Sequence, residues 1–429
     1  MSPLTLVLLV LIVLLLLGFP MMVPLIGAAL VLMWTQFDFL QPTQLIQQMI
    51  GGVQPAVLTA VPTFIFAADI MTKGHTAARL LDLVMSFVGH LRGGLPITTA
   101  ASCTLFGAVS GSTQATVVAM GQPLRPRLLE AGYKDSFALA LIINASDIAL
   151  LIPPSIGMII YGVVSGTSVG ELFIAGIGPG LLILALFSAY CYVASRRQGI
   201  PTLPRAGWHM RLRALRKAVF ALGFPVIVIG GIYSGLFSPT EAAAISVLYA
   251  LILELAIFRA VSLRDLPALA LSTGLVTAVV FILVAAGTAF SWMISFAQIP
   301  DLLLGDLIVR AQDRPTLLLA IICVAFFIGC MFVDPIVVIL ILTPIFTPAI
   351  AASSLDPVLV GTLVTLQVAI GSATPPFGCD IFTAIAVFRR PYAEVVRGTP
   401  PFILLLLLAN VLIIAFPVIA LGLRDLAFG

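Results

Sequence analysis

Apolar runs of about 18 residues or more recur from one end of this chain to the other, the length at which a helix crosses a hydrocarbon layer of roughly 30 Å. Between them no charged interval is long enough for a water-soluble domain. With 61% of 429 residues hydrophobic and 9% charged, the chain has the membrane as its solvent, and backbone groups in lipid must be satisfied within helices. Met1 to Gly18 lacks the basic start and small-residue cleavage site of a signal peptide and runs on apolar to Trp34, so residues 3–34 are expected as the first span.

The positive charges orient the remaining segments, because Lys and Arg collect on the cytoplasmic side. A second span at about 53–72 returns to Lys73, His75 and Arg79, which makes the N-terminus cytoplasmic. Residues 76–90 are bracketed by charge, yet Leu80, Leu81, Val84, Phe87 and Val88 share a helical face, as in an amphipathic helix lying in the interface. Gly94–Val109 and Thr113–Leu124 follow, separated by Ser110-Gly111-Ser112. At 1.5 Å per residue these arms reach about 24 and 18 Å, too short to cross, and are expected as a re-entrant hairpin opening from the cytoplasm.

Phe137–Val164, interrupted at Pro153-Pro154, crosses outward, and a span at about 172–195 returns to Arg196, Arg197, Arg205, Arg211, Arg213, Arg216 and Lys217, with no acid among them. Spans at about 218–236, 239–258 and 266–297 end at Asp301, Asp306 and Asp313, on the outside. A second hairpin, Pro315–Gly329 with Pro335–Ala352, opens from the periplasm. Leu359–Phe388, broken at Thr374-Pro375-Pro376, crosses inward to Arg389, Arg390 and Arg397, and a last span at 401–422 ends outside. Of the 21 Lys and Arg, this topology leaves all but Arg310, Arg314 and Arg424 in cytoplasmic segments.

The order of span, interfacial helix, hairpin, broken helix and span therefore occurs twice, inverted. Residues match at an offset of 221 or 222: Phe106 with Phe327, Val117 with Val338, Pro123 with Pro344, Pro153-Pro154 with Pro375-Pro376, Gly176 with Gly398 and Pro179 with Pro401. The expected fold class is an all-α polytopic membrane protein, an inverted repeat with two re-entrant hairpins and two broken transmembrane helices. Its divisions are N-terminal scaffold helices at 1–56, the first repeat at 57–195, a basic cytoplasmic loop at 196–217, scaffold helices at 218–277 and the second repeat at 278–422.

Inverted repeats with interrupted helices point to a midplane binding site in secondary transporters. Here the polar interruptions are Ser110 to Thr113, Asn144 to Asp147 with Pro153 to Ser155, Gly329 to Asp334, and Gly371 to Pro376. Gly and Pro also kink helices with no further role, but such breaks in two matched pairs favour a shared one. Unwound carbonyls and hydroxyls suit a hard cation such as Na+, and half-helix N-termini suit an anion. Asp69, Asp147, Asp334 and Asp380 are the acids at or near membrane depth; Asp69 and Asp380 have the alternatives of a helix cap and of facing water. No Lys or Arg lies inside an expected span, so a substrate carboxylate has hydroxyls, helix ends and bound cations to hold it.

The five cysteines stand singly in apolar segments and His75, His90 and His209 have no ligand at short spacing, so neither disulfides nor a metal centre is expected. Neither GxxxxGK[ST] nor HExxH occurs, and nothing supports an ATPase or another enzyme.

FGAVSGSTQAT (106–116), LIPPSIGMIIYG (151–162), GLFSPTEAAA (235–244), GCMFVDPIVVILILTPI (329–345) and ATPPFG (373–378) resemble the large membrane subunit of tripartite ATP-independent periplasmic (TRAP) transporters. The resemblance covers nearly the whole chain. It implies an inner-membrane, Na+-driven elevator of the ion transporter superfamily type, with Na+ as coupling ion and no other cofactor. The partners implied are a small four-helix membrane subunit and a periplasmic substrate-binding protein, with no nucleic acid. The substrate is expected to be an organic acid such as a C4-dicarboxylate or a sialic acid. Carried over, the sodium sites fall on Ser110, Gly111, Ser112 and Asn144 in the first half and on Gly329, Asp334, Gly371, Thr374 and Gly378 in the second. Thr113, Asp147, Pro154, Ser155, Pro375 and Pro376 are the candidate substrate contacts. Asn144 to Asp147 and Asp380 depart from the family pattern, which points to substrate class. A stand-alone ion-coupled anion transporter and a non-transporting membrane scaffold are the alternatives.

Overall fold

The computed structural model describes residues 3–305 and 314–428; Asp306, Arg310 and Asp313 lie outside the described residues. About 81% of the chain is helical, with no strand among the described residues. The run expected as one span at 3–34 is two helices packed on each other, α1 (Pro3–Leu16) and α2 (Met22–Gln36). Gly18 turns the chain between them at φ +78°, a conformation open to glycine, and Pro20 has no N–H with which to extend α1. Then come α3 (Pro42–Val53) and α4 (Ala60–Lys73), which with one preceding 3₁₀ turn forms the expected second span. The amphipathic α5 (Thr76–Val88) buries Leu80, Leu81 and Val84 as its spacing requires but leaves Phe87 exposed.

The first hairpin is α6 (Gly94–Ser110) and α7 (Thr113–Glu130). The first broken helix is α8 (Asp135–Ser146) and α9 (Ile156–Ser165), separated by a 3₁₀ turn (Asp147–Leu150) and a cis Pro153–Pro154 bond. Next are α10 (Val169–Arg197), α11 (Trp208–Tyr233), α12 (Pro239–Leu251, continued by a π-turn to Ile257), α13 (Leu266–Phe296) and a helical stretch at 299–305, α14. The second hairpin is α15 (Pro315–Phe332) and α16 (Pro335–Ala351). The second broken helix is α17 (Pro357–Ser372) and α18 (Cys379–Phe388), around a cis Pro375–Pro376 bond. A short α19 (Tyr392–Val396) leads to α20 (Pro400–Ala415) and α21 (Val418–Phe428), bent by 54°.

Two further expectations are corrected here. The basic loop at 196–217 is non-helical only over 198–207, because α11 begins at Trp208; Arg and Lys are good helix formers, and the cations stand on the first turns of a span. The last span is broken where Pro417 interrupts the α20 ladder. Among the described residues six helices are long and apolar enough to cross a membrane, seven if α20 and α21 count as one.

Packing repeats as the sequence does. The first arm of each hairpin lies on the first part of its own broken helix, α6 on α8 and α15 on α17. The second arm of each lies on the last part of the other half's broken helix, α7 on α18 and α16 on α9. Both second arms carry two interior prolines, Pro123 and Pro126 in α7, Pro344 and Pro348 in α16. Both are capped at matched positions, by Ser112 and by Asp334.

The hairpins enter from opposite ends of α10. At one end Tyr133, just after α7, bonds Ser195 at 2.8 Å, and Arg125 donates Nε and Nη2 to Asp135 at 2.7 and 2.6 Å, with Arg390 Nε 2.9 Å from the same carboxylate. At the other end Arg424 ties Glu171, at the start of α10, to Asp356, which follows α16, at 3.5 and 2.8 Å. The 29 residues of α10 put about 43 Å between these networks.

The hydrogen bonds from Arg125 hold the Asp135 carboxyl below the usual aspartate range and Arg125 above its own. A carboxyl with a depressed folded pKa stabilises the fold above its unfolded value, and that contribution disappears as pH falls through the folded value. Asp135→Asn is expected to lower the thermal midpoint at pH 7, with the difference from wild type closing as pH falls below the ordinary aspartate range. A pH-independent deficit in a thermal-shift series contradicts this.

Candidate functional site

Three helix N-termini converge on one cavity of about 560 Å³. α7 contributes Thr113 and Gln114 behind the tip residues Gly111 and Ser112, α9 contributes Ile156 and Gly157, and α16 contributes Pro335 to Val337 behind Asp334. Val276, Val279, Val280 and Leu283 of α13, and Pro20 to Met22, close the other side. First-turn N–H groups carry the positive end of the helix dipole, and in this wall, which holds no Lys or Arg, they stand beside the Asp334 carboxylate.

Local chemistry fixes each tip. Gly111 ends α6 at φ +61°, and a Cβ there would lie 2.4 Å from the Pro154 carbonyl oxygen, so the tip rests directly on the first break. Ser110 Oγ bonds Thr116 Oγ1 at 2.9 Å, and Ser112 Oγ accepts the Ala115 N–H at 3.4 Å. Asp334 accepts the Ile336 N–H at 2.9 Å, and Ser155 caps α9 by accepting the Met158 N–H at 3.3 Å. At the second break Thr374 Oγ1 donates to the Ile370 carbonyl at 2.6 Å, and Phe377 N–H donates to the Met331 carbonyl at 3.1 Å, joining the break to the second tip. Pro376 O accepts from the Tyr392 hydroxyl at 3.0 Å.

Of the expected sodium residues, Gly111, Ser112 and Asp334 face the cavity; Ser110, Asn144, Gly329, Gly371, Thr374 and Gly378 do not line it. Gly329 is not at a tip, because α15 continues past it to Phe332 and its carbonyl accepts the Val333 N–H at 3.0 Å. A Cβ on it would meet Val338 at 2.9 Å, so this glycine lets the two arms close on each other. Gly371 instead lets α17 close on α15, where a Cβ would meet that of Cys330 at 2.4 Å. Of the expected substrate contacts, Thr113 alone lines the cavity. Ser155 and Pro154 sit behind α9 and the tip, Pro375 and Pro376 lie at the second break, and Asp147 is buried beside Asp380.

Asp380 is wholly buried, which removes the alternative that it faces water. Thr113 Oγ1 donates to its Oδ1 at 2.8 Å, and Ser372 Oγ lies 2.7 Å from its Oδ2. One carboxylate thus ties the first hairpin tip to both parts of the second broken helix. Asp69 accepts from Thr273 Oγ1 of α13 at 2.8 Å rather than capping a helix. Two residues carry roles that sequence reading did not reach. Ser372 completes the Asp380 link, and Glu254, fully buried at the end of α12, accepts from the His75 N–H at 3.1 Å and Thr76 Oγ1 at 2.6 Å. An acid within the apolar ILELAIF run is the only local signal for Glu254.

Gly166-Thr167-Ser168-Val169-Gly170 has the GxSxG spacing of hydrolase elbows, but Ser168 is the cap of α10, accepting the Glu171 N–H at 3.4 Å, on a turn between two helices. Among the described residues no group of three His, Cys, Asp or Glu side chains is arranged to hold a metal ion, and all five cysteines are free.

Paired hairpins of opposite direction, whose tips meet two broken helices around an N-terminus-lined cavity, define a helical membrane transporter. The chain belongs to the tripartite ATP-independent periplasmic transporter family, DctM component, which matches residues 8–419. It is 68% identical to the ectoine/5-hydroxyectoine TRAP transporter large permease protein of Ruegeria pomeroyi over 98% of both chains. It is 66% identical to the ectoine TRAP transporter large permease protein of Halomonas elongata over 97% of both. The C4-dicarboxylate TRAP transporter large permease protein of Pseudomonas aeruginosa is 35% identical over 86% of both. The fold matches that of the YdaH transporter of Alcanivorax borkumensis at a TM-score of 0.65, with 17% identity, 89% of this chain and 88% of that one covered.

Proposed function

We propose that this large permease carries ectoine and 5-hydroxyectoine across the inner membrane, driven by a Na+ gradient. The observation that carries the substrate is the identity of 68% along nearly the full length of a permease named for these solutes, against 35% for one named for C4-dicarboxylates. The expected organic acid is thereby narrowed to a carboxylate that also bears a cation. The three convergent helix N-termini suit the carboxylate. The small four-helix subunit and the periplasmic binding protein are the proposed partners, and hairpins with broken helices the proposed moving body of an elevator, a reading supported by the packing of α7 on α18 and of α16 on α9 across the two halves. Among the sodium candidates, Gly111, Ser112 and Asp334 combine a hairpin tip with a place in the cavity wall.

The test is uptake by proteoliposomes holding both membrane subunits, with the binding protein outside. An inward Na+ gradient is expected to drive ectoine accumulation at least tenfold above that with Na+ equal on both sides. Uptake indifferent to the gradient defeats the coupling, and faster uptake of succinate than of ectoine defeats the substrate.

A further inference from the structure

Asp147 and Asp380 are the most deeply buried acids near the cavity, and their surroundings differ. Asp380 is bonded by Thr113 and Ser372. Asp147 lies against both Asp380 and Ser372 but neither of its oxygens makes a hydrogen bond of regular geometry, and one turn earlier on the same helical segment the buried Asn144 Oδ1 also has none. Asn144 Nδ2 donates to the Ala140 carbonyl at 2.8 Å, which fixes the side chain and leaves its oxygen free. Among the described residues no Lys or Arg is paired with either acid; the ion pairs lie at the ends of the helices. A buried pair of acids with acceptors to spare and no basic partner is complementary to a cation supplied from outside the chain, whose arrival would favour their ionised forms.

The cluster stands one layer behind the cavity. Thr113 lines the cavity and bonds Asp380, and Leu150, in the same 3₁₀ turn as Asp147, lines it too. We propose that Asp147, with Asp380 and Asn144 Oδ1, is the counter-charge site for the planar cationic group of a zwitterionic substrate, reached from the cavity when the Thr113 hydroxyl turns aside. This deepens the ectoine reading and rests on it for the identity of the zwitterion. Ectoine is a cyclic amidinium bearing a carboxylate. Its two ring N–H donors match two carboxylates that face each other, while its own carboxylate is left toward the helix N-termini. Asp147, which makes no hydrogen bond of regular geometry, supplies the larger part of the recognition.

The experiment uses the purified chain in nanodiscs at fixed Na+, with acetamidinium as the probe, and the reconstituted assembly for ectoine. Acetamidinium is expected to raise the wild-type thermal midpoint in a saturable way, and Asp147→Asn to lose that response while keeping its response to Na+. In the assembly Asp147→Asn is expected to raise the KM for ectoine at least tenfold with Na+ half-saturation unchanged. Absence of an acetamidinium response in wild type, or an undiminished one in the variant, overturns the proposal, as does a variant whose Na+ half-saturation moves while its ectoine KM does not. Should Asp147→Asn not fold, Asp380→Asn is read the same way, with the same loss expected. A wild-type assembly that ignores ectoine while acetamidinium binds through Asp147 removes the ectoine reading and leaves the cation site standing.

Discussion

Replacing Gly111 with valine is expected to reduce substrate uptake to less than a tenth of the wild-type rate. Two costs coincide at this position. A residue with a Cβ held at φ +61° is strained by roughly 1 kcal/mol, and here the added carbon would also lie 2.4 Å from the Pro154 carbonyl oxygen, closer than the backbone of a close-packed core yields to. The tip must lift from the first break, and the Thr113 bond to Asp380, two residues on, is lost with it. Gly132 provides the control, since it has φ +93° with nothing within 4 Å of a built Cβ. Gly132→Ala carries the strain without the collision and is expected to keep at least half of the uptake. Initial rates normalised to membrane-inserted protein decide the matter: equal damage from both variants would show strain alone at work, and an active Gly111→Val would show that the tip need not seat on Pro154.

Asp334 offers the second large effect, because its carboxylate does two separable things. It caps α16 and it faces the cavity. Losing the cap in Asp334→Ala costs about 1 kcal/mol, whereas Asp334→Asn keeps an oxygen for the Ile336 N–H and removes only the charge. Both variants are expected to lose Na+-driven uptake to background, but only Asp334→Ala to unfold at a lower temperature. Normal transport by Asp334→Asn would reduce the carboxylate to a cap.

Much of this arrangement is legible in residues that act locally. Pro-Pro pairs, Ser-Gly-Ser at a tip and runs bounded by arginine leave their mark on neighbouring residues, so the helix pairs, the breaks and most long helices are legible, whereas α15, expected as an arm too short to cross, is long and apolar enough to span. The turn at Gly18 is hidden because α1 and α2 are equally apolar and hydropathy does not change across it. Gly329 misleads in the opposite sense: in isolation it reads as a break, but its partner is Val338 across the hairpin, and the lack of a side chain there serves packing. Asp380 is the instructive case, for its ambiguity is resolved by a hydroxyl 267 residues away. That Asp147 and Asp380 stand together is not legible in the sequence, because they meet only once the two halves are assembled.

The crossed packing of the halves bears on how the protein is made. The face of α7 that rests on α18, and the Thr113 hydroxyl that binds Asp380, have no partner until synthesis has advanced by those 267 residues. At bacterial elongation rates this is a wait on the order of tens of seconds. Throughout it the first hairpin, with its polar tip, must be sheltered by lipid, by the insertion machinery or by its own half alone. Defects placed in the last third of the gene should therefore strand the first third in the membrane as a substrate for quality-control proteases.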